Sequence, residues 1–249
     1  MNYPPSAPST SHTDESEAER IAAVYGEYAA ARAGRERWSG SNRGNRAMSA
    51  ERRRRVQRAL QDCRMLPLAG RDILEVGCGS GGILRMMRDQ FGADEARMIG
   101  VDIRSEAIET ARVALPRARL HCVAGEEFPV SAASVDVALT FTLFSSILDE
   151  RVAGAVAASI ERALRPGGLL VCYDMRHQNP FNRNVRPVTV RALARWFPSC
   201  SRVSSRSLTL LPPLARRLGA LTSWLYPLLA AVPLLRTHRL TVLRRTEQR

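Results

Sequence analysis

The chain contains no lysine; all 37 of its basic residues are arginine. Genomic base composition can produce that substitution by itself, so the choice of cation identifies no partner. It does not explain a loss of acids. Residues 183–249 carry 13 arginines against Glu247 alone, residues 32–64 carry 11 against three acids, and residues 65–182 carry 12 against 15. A slightly acidic middle is flanked by two basic arms, a distribution suited to a surface facing anionic lipid, nucleic acid or an acidic substrate.

Cysteine is scarce and unpaired. Cys63, Cys78, Cys122, Cys172 and Cys200 are odd in number and show no paired metal spacing, so they read as small buried hydrophobes in a reducing compartment, with no metal expected. Aromatic residues make up 6% of the chain and form no aromatic–basic stretch, so nucleic acid is not the expected partner. Residues 1–19 lack the apolar run of a secretory leader. They are rich in proline, serine, threonine and acids and read as a disordered tail, which places the chain in the cytoplasm.

What is present is an alternation of strands and helices. Residues 20–31 and Arg52–Met65 have helical spacing, and a polar stretch with Trp38, Gly40 and Gly44 separates them. Apolar runs at Arg71–Val76, Arg97–Val101, Leu120–Val123, Val135–Thr140 and Leu169–Tyr173 predict five strands, with helices at Gly81–Phe91, Ser105–Leu115 and Glu150–Leu164 between them. Pro166-Gly167-Gly168 stops the last of these helices. This rhythm predicts an α/β domain with a doubly wound, Rossmann-like parallel sheet. Beyond it, Val188–Phe197 reads as a helix, and Arg202–Leu211 and His238–Leu243 as a late strand pair. The expected division is a tail over 1–19, a helical arm or lid over 20–65, and one domain over 66–249.

The segment with most chemical content is Leu74-Glu75-Val76-Gly77-Cys78-Gly79-Ser80-Gly81-Gly82, which closes a strand and opens a helix. Glycine is required where the backbone turns tightly under a ligand. The helix N-terminus offers amides and a positive dipole end, expected here to face a carboxylate. The same string satisfies the Gly77-x-Gly79-x-x-Gly82 dinucleotide fingerprint, and Asp102, ending the second strand, could accept from ribose hydroxyls of either cofactor. Glu75 tips the balance. A carboxylate at the strand end suits a cationic amino-acid moiety and sulfonium and disfavours a pyrophosphate.

Glu75-Val76-Gly77-Cys78-Gly79-Ser80-Gly81 resembles the first motif of class I S-adenosylmethionine-dependent methyltransferases. Gly100-Val101-Asp102 resembles their acidic second motif, Val135-Asp136-Val137 their fourth-strand entry, and Leu164-Arg165-Pro166-Gly167-Gly168 the turn before their fifth strand. The resemblance spans residues 70–175. It implies a seven-stranded sheet with the last strand antiparallel, S-adenosylmethionine as cofactor, and a cofactor set of Glu75, Gly77, Cys78, Gly79, Gly81, Asp102, Ile103, Gly125, Glu126 and Thr140. The chain departs from the family after the third strand, where Ala124 stands in place of an adenine-binding aspartate and Glu126 is the alternative. Phe141–Asp149 and Tyr173–Pro180 resemble, more narrowly, methyltransferases found with bacterial glycan or secondary-metabolite assembly genes.

A hydroxyl acceptor needs a base beyond the carboxyl ends of the strands. Asp174 and His177 follow the fifth strand and are the candidates, with Asn179, Asn182 and Arg186 as acceptor contacts and Trp38, Asn42 and Asn45 as lid residues. Asn179-Pro180-Phe181 lacks the second proline of amino-directed enzymes, which favours oxygen as the methylated atom. An RNA-directed methyltransferase and a nicotinamide-dependent oxidoreductase are the alternatives. Finally, Leu218–Leu235 is an 18-residue stretch without charge, interrupted by Pro227 and Pro233. A membrane span there would separate two strands that pair, so the run reads as a helical insert between the last two strands. Its union with a basic arm predicts reversible contact with the inner face of an anionic membrane and an amphipathic or lipid-linked acceptor.

Overall fold

The computed structural model describes residues 16–30, 39–123, 126–180 and 182–247. Seven strands form one sheet: β1 (Ile73–Val76), β2 (Met98–Asp102), β3 (Arg119–Cys122), β4 (Val135–Phe141), β5 (Leu164–Met175), β6 (Cys200–Leu210) and β7 (Arg236–Arg245). Their order is β3-β2-β1-β4-β5-β7-β6. Every pairing is parallel except the two made by β7, which runs antiparallel to β5 and β6. The helices α1 (Glu17–Ala30) and α2 (Arg43–Asp62) precede the sheet; α3 (Gly82–Phe91), α4 (Ser105–Ala114), α5 (Glu150–Ala163) and α6 (Val190–Trp196) lie between strands.

Helices on both faces explain the uniformly apolar central strands. On one face, Val56 and Leu60 of α2, Met87 of α3 and Ile108 of α4 pack on Ile73, Val137, Val171 and Val242. On the other, Val156 and Ile160 of α5 and Leu193 and Trp196 of α6 pack on Leu74, Val101, Leu170 and Cys172. The chain winds one way from β1 to β3 and the other way from β4 to β5. The two directions part between β1 and β4, so the ligand crevice opens at the carboxyl ends of those strands.

Two local expectations change. The second helix starts at Arg43, not Arg52, because Asn42 caps it by accepting from the Asn45 N–H at 3.2 Å. Gly44 reads as a breaker in isolation, but a Cβ there would lie 2.2 Å from the Ala215 carbonyl oxygen. It is glycine because another backbone passes over it. Pro166-Gly167-Gly168 does not separate helix from strand either: β5 begins at Leu164 and carries these residues as an irregularity, with the register against β4 shifting between Val135 and Val137.

Between β6 and β7 the expected insert forms α7 (Pro212–Arg217), α8 (Thr222–Ala231) and short 3-10 turns. Among the described residues no helix is long and apolar enough to cross a membrane. Only one side of α8 is buried, through Thr222, Tyr226 and Ala230. The Glu51 carboxylate of α2 holds it, accepting from the Tyr226 hydroxyl at 2.7 Å and from the Thr209 N–H at 3.0 Å. Asn42 and Asn45, expected in a lid, fix this insert instead: the Asn42 amide donates to the Arg216 carbonyl and the Asn45 side chain accepts from the Arg216 guanidinium.

Candidate active site

The glycine loop leaves β1 through three residues in the left-handed region, Gly77 (φ 76°), Gly79 (φ 52°) and Gly81 (φ 76°). At Gly81 a Cβ would also strike Leu115 at 2.9 Å. Four loop amides turn inward. Gly77 and Cys78 donate to the Val101 carbonyl, Gly79 to Asp102 Oδ2 at 2.7 Å, and Gly81 to the Cys78 carbonyl. The first three hold the loop against β2, and the fourth closes a turn within the loop.

Two carboxylates flank it. Glu75 is 1% exposed. The Leu84 N–H of α3 donates to its carboxyl group, while its Oε2 has no partner among the described residues. Burial holds this carboxyl well above the ordinary carboxylate range, against the pull of the Leu84 amide. Asp102 closes β2, and its Oδ1 accepts from the Arg104 N–H at 3.0 Å and Nε at 3.3 Å. The Arg104 guanidinium continues over the loop, with one terminal nitrogen 3.4 Å from where a Gly79 Cβ would stand. Cys78 is buried, and burial raises its thiol pKa. Ile103 is half-buried beside Asp102, Thr140 lies in β4 between Val76 and Cys172, and Glu126 is half-buried beyond β3. Gly125, Ala124, Trp38 and residues 1–15 lie outside the described residues.

At the ends of β4 and β5 the backbone turns through Thr142, a threonine at φ 56°. Such a conformation persists only where its surroundings enforce it; here the Thr142 N–H donates to the Tyr173 carbonyl at 2.7 Å. Asp174, at 2% exposure, accepts from the N–H groups of Phe144 (3.0 Å), Ser145 (3.1 Å) and Met175 (3.1 Å). Burial pushes its carboxyl up to about 6 against those donors. His177 stands exposed on the loop beyond β5. Partial burial and the cations Arg176 and Arg239 hold its imidazole below the ordinary value. Asp174 thus faces inward and His177 outward. Arg186 pairs with Glu150 at 3.0 Å, and Asn182 donates to the Tyr28 hydroxyl at 3.0 Å.

That last contact belongs to a group that sequence reasoning missed. Helix α1 lies across the crevice edge. Glu17 accepts from the Leu148 and Asp149 N–H groups, Arg20 donates to the Ser146 carbonyl, and Tyr25 shares a 2.9 Å hydrogen bond with the Ser146 hydroxyl. The Arg104 guanidinium sits 5.0 Å from the centre of the Tyr25 ring. Nothing in the spacing of Tyr25 or Ser146 marks them. Arg52, Phe141, Tyr173 and His238 form a second unforeseen group under α2. The Tyr173 and His238 rings stack at 4.7 Å, and the Arg52 guanidinium lies 5.5 Å from the Tyr173 ring centre.

A sheet with one reversed strand beside its end, a glycine loop after β1 and acids at the ends of β1 and β2 define the fold of class I S-adenosylmethionine-dependent methyltransferases. Residues 73–168 match the methyltransferase domain family. It is 32% identical over 108 residues to a probable S-adenosylmethionine-dependent methyltransferase of Mycolicibacterium smegmatis, covering 41% of this chain and 37% of the relative. It is 27% identical over 148 residues to a ubiquinone biosynthesis O-methyltransferase of Cereibacter sphaeroides, covering 58% of this chain and 57% of that one. The matched part thus spans little more than half, or less, of these relatives. An S-adenosylmethionine-dependent methyltransferase structure from Mesorhizobium loti shares the fold at a TM-score of 0.55 and 19% identity, over 75% of this chain and 96% of the other.

Proposed function

We propose that the chain transfers the methyl group of S-adenosylmethionine to a hydroxyl of a small-molecule, glycan or lipid-linked biosynthetic intermediate, in the cytoplasm or at the inner face of the membrane. The observation that carries the reading is the unpartnered, buried Glu75 Oε2 beside a loop in which the Gly77, Cys78, Gly79 and Gly81 N–H donors are spent. A buried acceptor without a donor is costly. With four loop amides spent and a buried carboxylate at the strand end, the surface favours an ammonium group over a second anion such as a pyrophosphate. This separates the methyl donor from a nicotinamide dinucleotide.

Glu75 would hold the amino group, Arg104 the carboxylate, and Asp102 the ribose hydroxyls. Gly77, Cys78, Gly79 and Gly81 would supply close backbone approach, with Ile103, Glu126 and Thr140 beside them; Gly125, also expected there, lies outside the described residues. When bound, S-adenosylmethionine supplies a methyl group already activated on a sulfonium, so the protein's work is alignment and proton removal. His177 is exposed and held below its ordinary pKa, so it is neutral near pH 7 and able to accept an acceptor's proton. Asp174 would position the loop carrying Phe144 and Ser145 and thereby the acceptor. Helix α1 would act as a lid through Tyr25. The malonyl-[acyl-carrier protein] O-methyltransferase of Hahella chejuensis, 34% identical over 112 residues, and the ubiquinone O-methyltransferase are both oxygen-directed by name, which supports a hydroxyl or carboxyl oxygen over nitrogen.

The test is incubation with methyl-labelled S-adenosylmethionine and matched sets of phenols, sugars and their lipid-linked forms. Label in a methyl ether is expected. Label in RNA or on nitrogen, with none on oxygen, would overturn the reading.

A further inference from the structure

Helix α8 is apolar on every side, and a helix of that kind is ordinarily enclosed by protein. This one is not. Opposite the buried line of Thr222, Tyr226 and Ala230, Leu221 is 58%, Trp224 79% and Leu228 68% exposed, and Leu234 just beyond is 85% exposed. Contiguous apolar surface of this sort marks an interaction site. An open groove of about 420 Å³ runs beside it, between α8 and α2. Ser223, Tyr226 and Pro227 form one wall, Arg43, Arg46 and Arg54 reach it from α2, and no acid lines it. Arg46 spends one nitrogen on the Gly40 and Ser41 carbonyls.

The insert lies at the functional end of the sheet. Because β6 runs parallel to β5, its last residue, Leu210, reaches the same end as Met175 of β5, and the insert departs there. The Arg176 guanidinium donates to the Pro233 carbonyl at 2.8 Å, and the Arg176 N–H to the Thr237 carbonyl at 2.9 Å. The loop that carries His177 is therefore bound to the insert.

We propose that this face is a docking surface for an anionic lipid bilayer: the α2–α8 groove receives lipid headgroup phosphates, and Trp224, Leu228, Leu221 and Leu234 enter the acyl boundary. Apolar side chains beside arginines are the combination an anionic interface binds, and tryptophan favours the headgroup level. Charge complementarity selects this occupant, since a second copy of the chain would bring the same arginines against one another. Both ends of the insert join adjacent antiparallel strands, so it lies on the bilayer and does not cross it. Delivery of a lipid-linked acceptor from this surface rests on the proposed methyl transfer; the docking itself does not.

The experiment is co-sedimentation of the full chain with phosphatidylglycerol vesicles and with phosphatidylcholine vesicles, at low and high salt, beside calorimetric titration with S-adenosylmethionine. Wild type is expected on the anionic vesicles at low salt and largely free at high salt. Trp224→Ser with Leu228→Ser should lower partitioning on the order of tenfold, and each of Arg43→Gln and Arg54→Gln by about fivefold. Methyl-donor affinity should stay unchanged in all of them, which shows that the variants fold and keeps this test separate from the cofactor reading. Three outcomes would overturn the proposal: no binding to anionic vesicles at low salt, binding lost in the arginine variants but intact in Trp224→Ser/Leu228→Ser, as for a nucleic-acid surface, or a wild-type dimer that the Trp224 and Leu228 changes dissociate.

Discussion

Asp174 shows how a residue's place in a sequence can indicate a site without indicating a role. Its position just past the strand expected to end at Tyr173 put it among the candidate bases, but what it does depends on the N–H groups of Phe144 and Ser145, 30 and 29 residues away. Only the fold brings those donors to it. Its pH behaviour follows. The folded value of about 6 lies above the reference of 3.8, so the folded state holds the proton more tightly than the unfolded chain. Its contribution to stability is greatest below about pH 4 and is lost as pH rises to about 6, by about 3 kcal/mol. Urea unfolding across this window should show wild type losing stability relative to Asp174→Asn by that amount; parallel profiles would contradict the assignment. His177 makes the opposite prediction. His177→Ala should lower turnover by about 10²–10⁴ while donor affinity and melting temperature hold, and unchanged turnover would remove it from the reaction. The glycine loop, by contrast, was legible at once. Left-handed backbone at Gly77, Gly79 and Gly81 leaves a residue-level trace that needs no distant partner. What the string did not reveal is that the Gly77, Cys78 and Gly79 amides turn inward, because their acceptors are the Val101 carbonyl and Asp102 on the neighbouring strand.

Elements were legible where their periodicity is self-contained. The central strands and α3 to α5 follow from apolar spacing alone. The start of α2 does not, because Gly44 answers to the backbone of α7, far away in sequence. Gly44→Ala should push α7 off α2 and cost about 1–3 kcal/mol by overpacking. Gly26→Ala is the matched comparison, since a Cβ at Gly26 in α1 meets nothing within 4 Å; it should stabilise by about 0.5–1 kcal/mol. Equal melting shifts for the two would contradict the packing account. Helix α1 was expected as an arm, but its grip on the crevice edge rests on Tyr25, Arg104 and Ser146 meeting in space. Tyr25→Ala removes a hydrogen bond and a cation–ring contact. It should speed dissociation of the methyl donor by about tenfold in stopped-flow measurements and leave the melting temperature nearly unchanged. An unaltered dissociation rate would leave α1 without a lid role.

At the scale of the whole molecule, the seven strands and the reversed one were foreshadowed by the resemblance to class I methyltransferases, and the insert by the apolar run between the late strand pair; the strand order itself comes from the structure. Charge and hydropathy also located the unusual surface, although not its form: the sequence cannot say which side of α8 faces out, since that is decided by Glu51 holding Tyr226. What unites these features is the crevice at the carboxyl ends of β1, β2 and β4, with Glu75 beneath the loop and Asp102 beside it. That crevice should accept a cationic methyl donor and not a dinucleotide. Isothermal titration of the full chain with S-adenosylmethionine and with NADH decides it most directly. S-adenosylmethionine should bind with saturation and NADH should give no heat, and Asp102→Ala should weaken the methyl donor by about 1–3 kcal/mol. Tight NADH binding with none of S-adenosylmethionine would contradict the account.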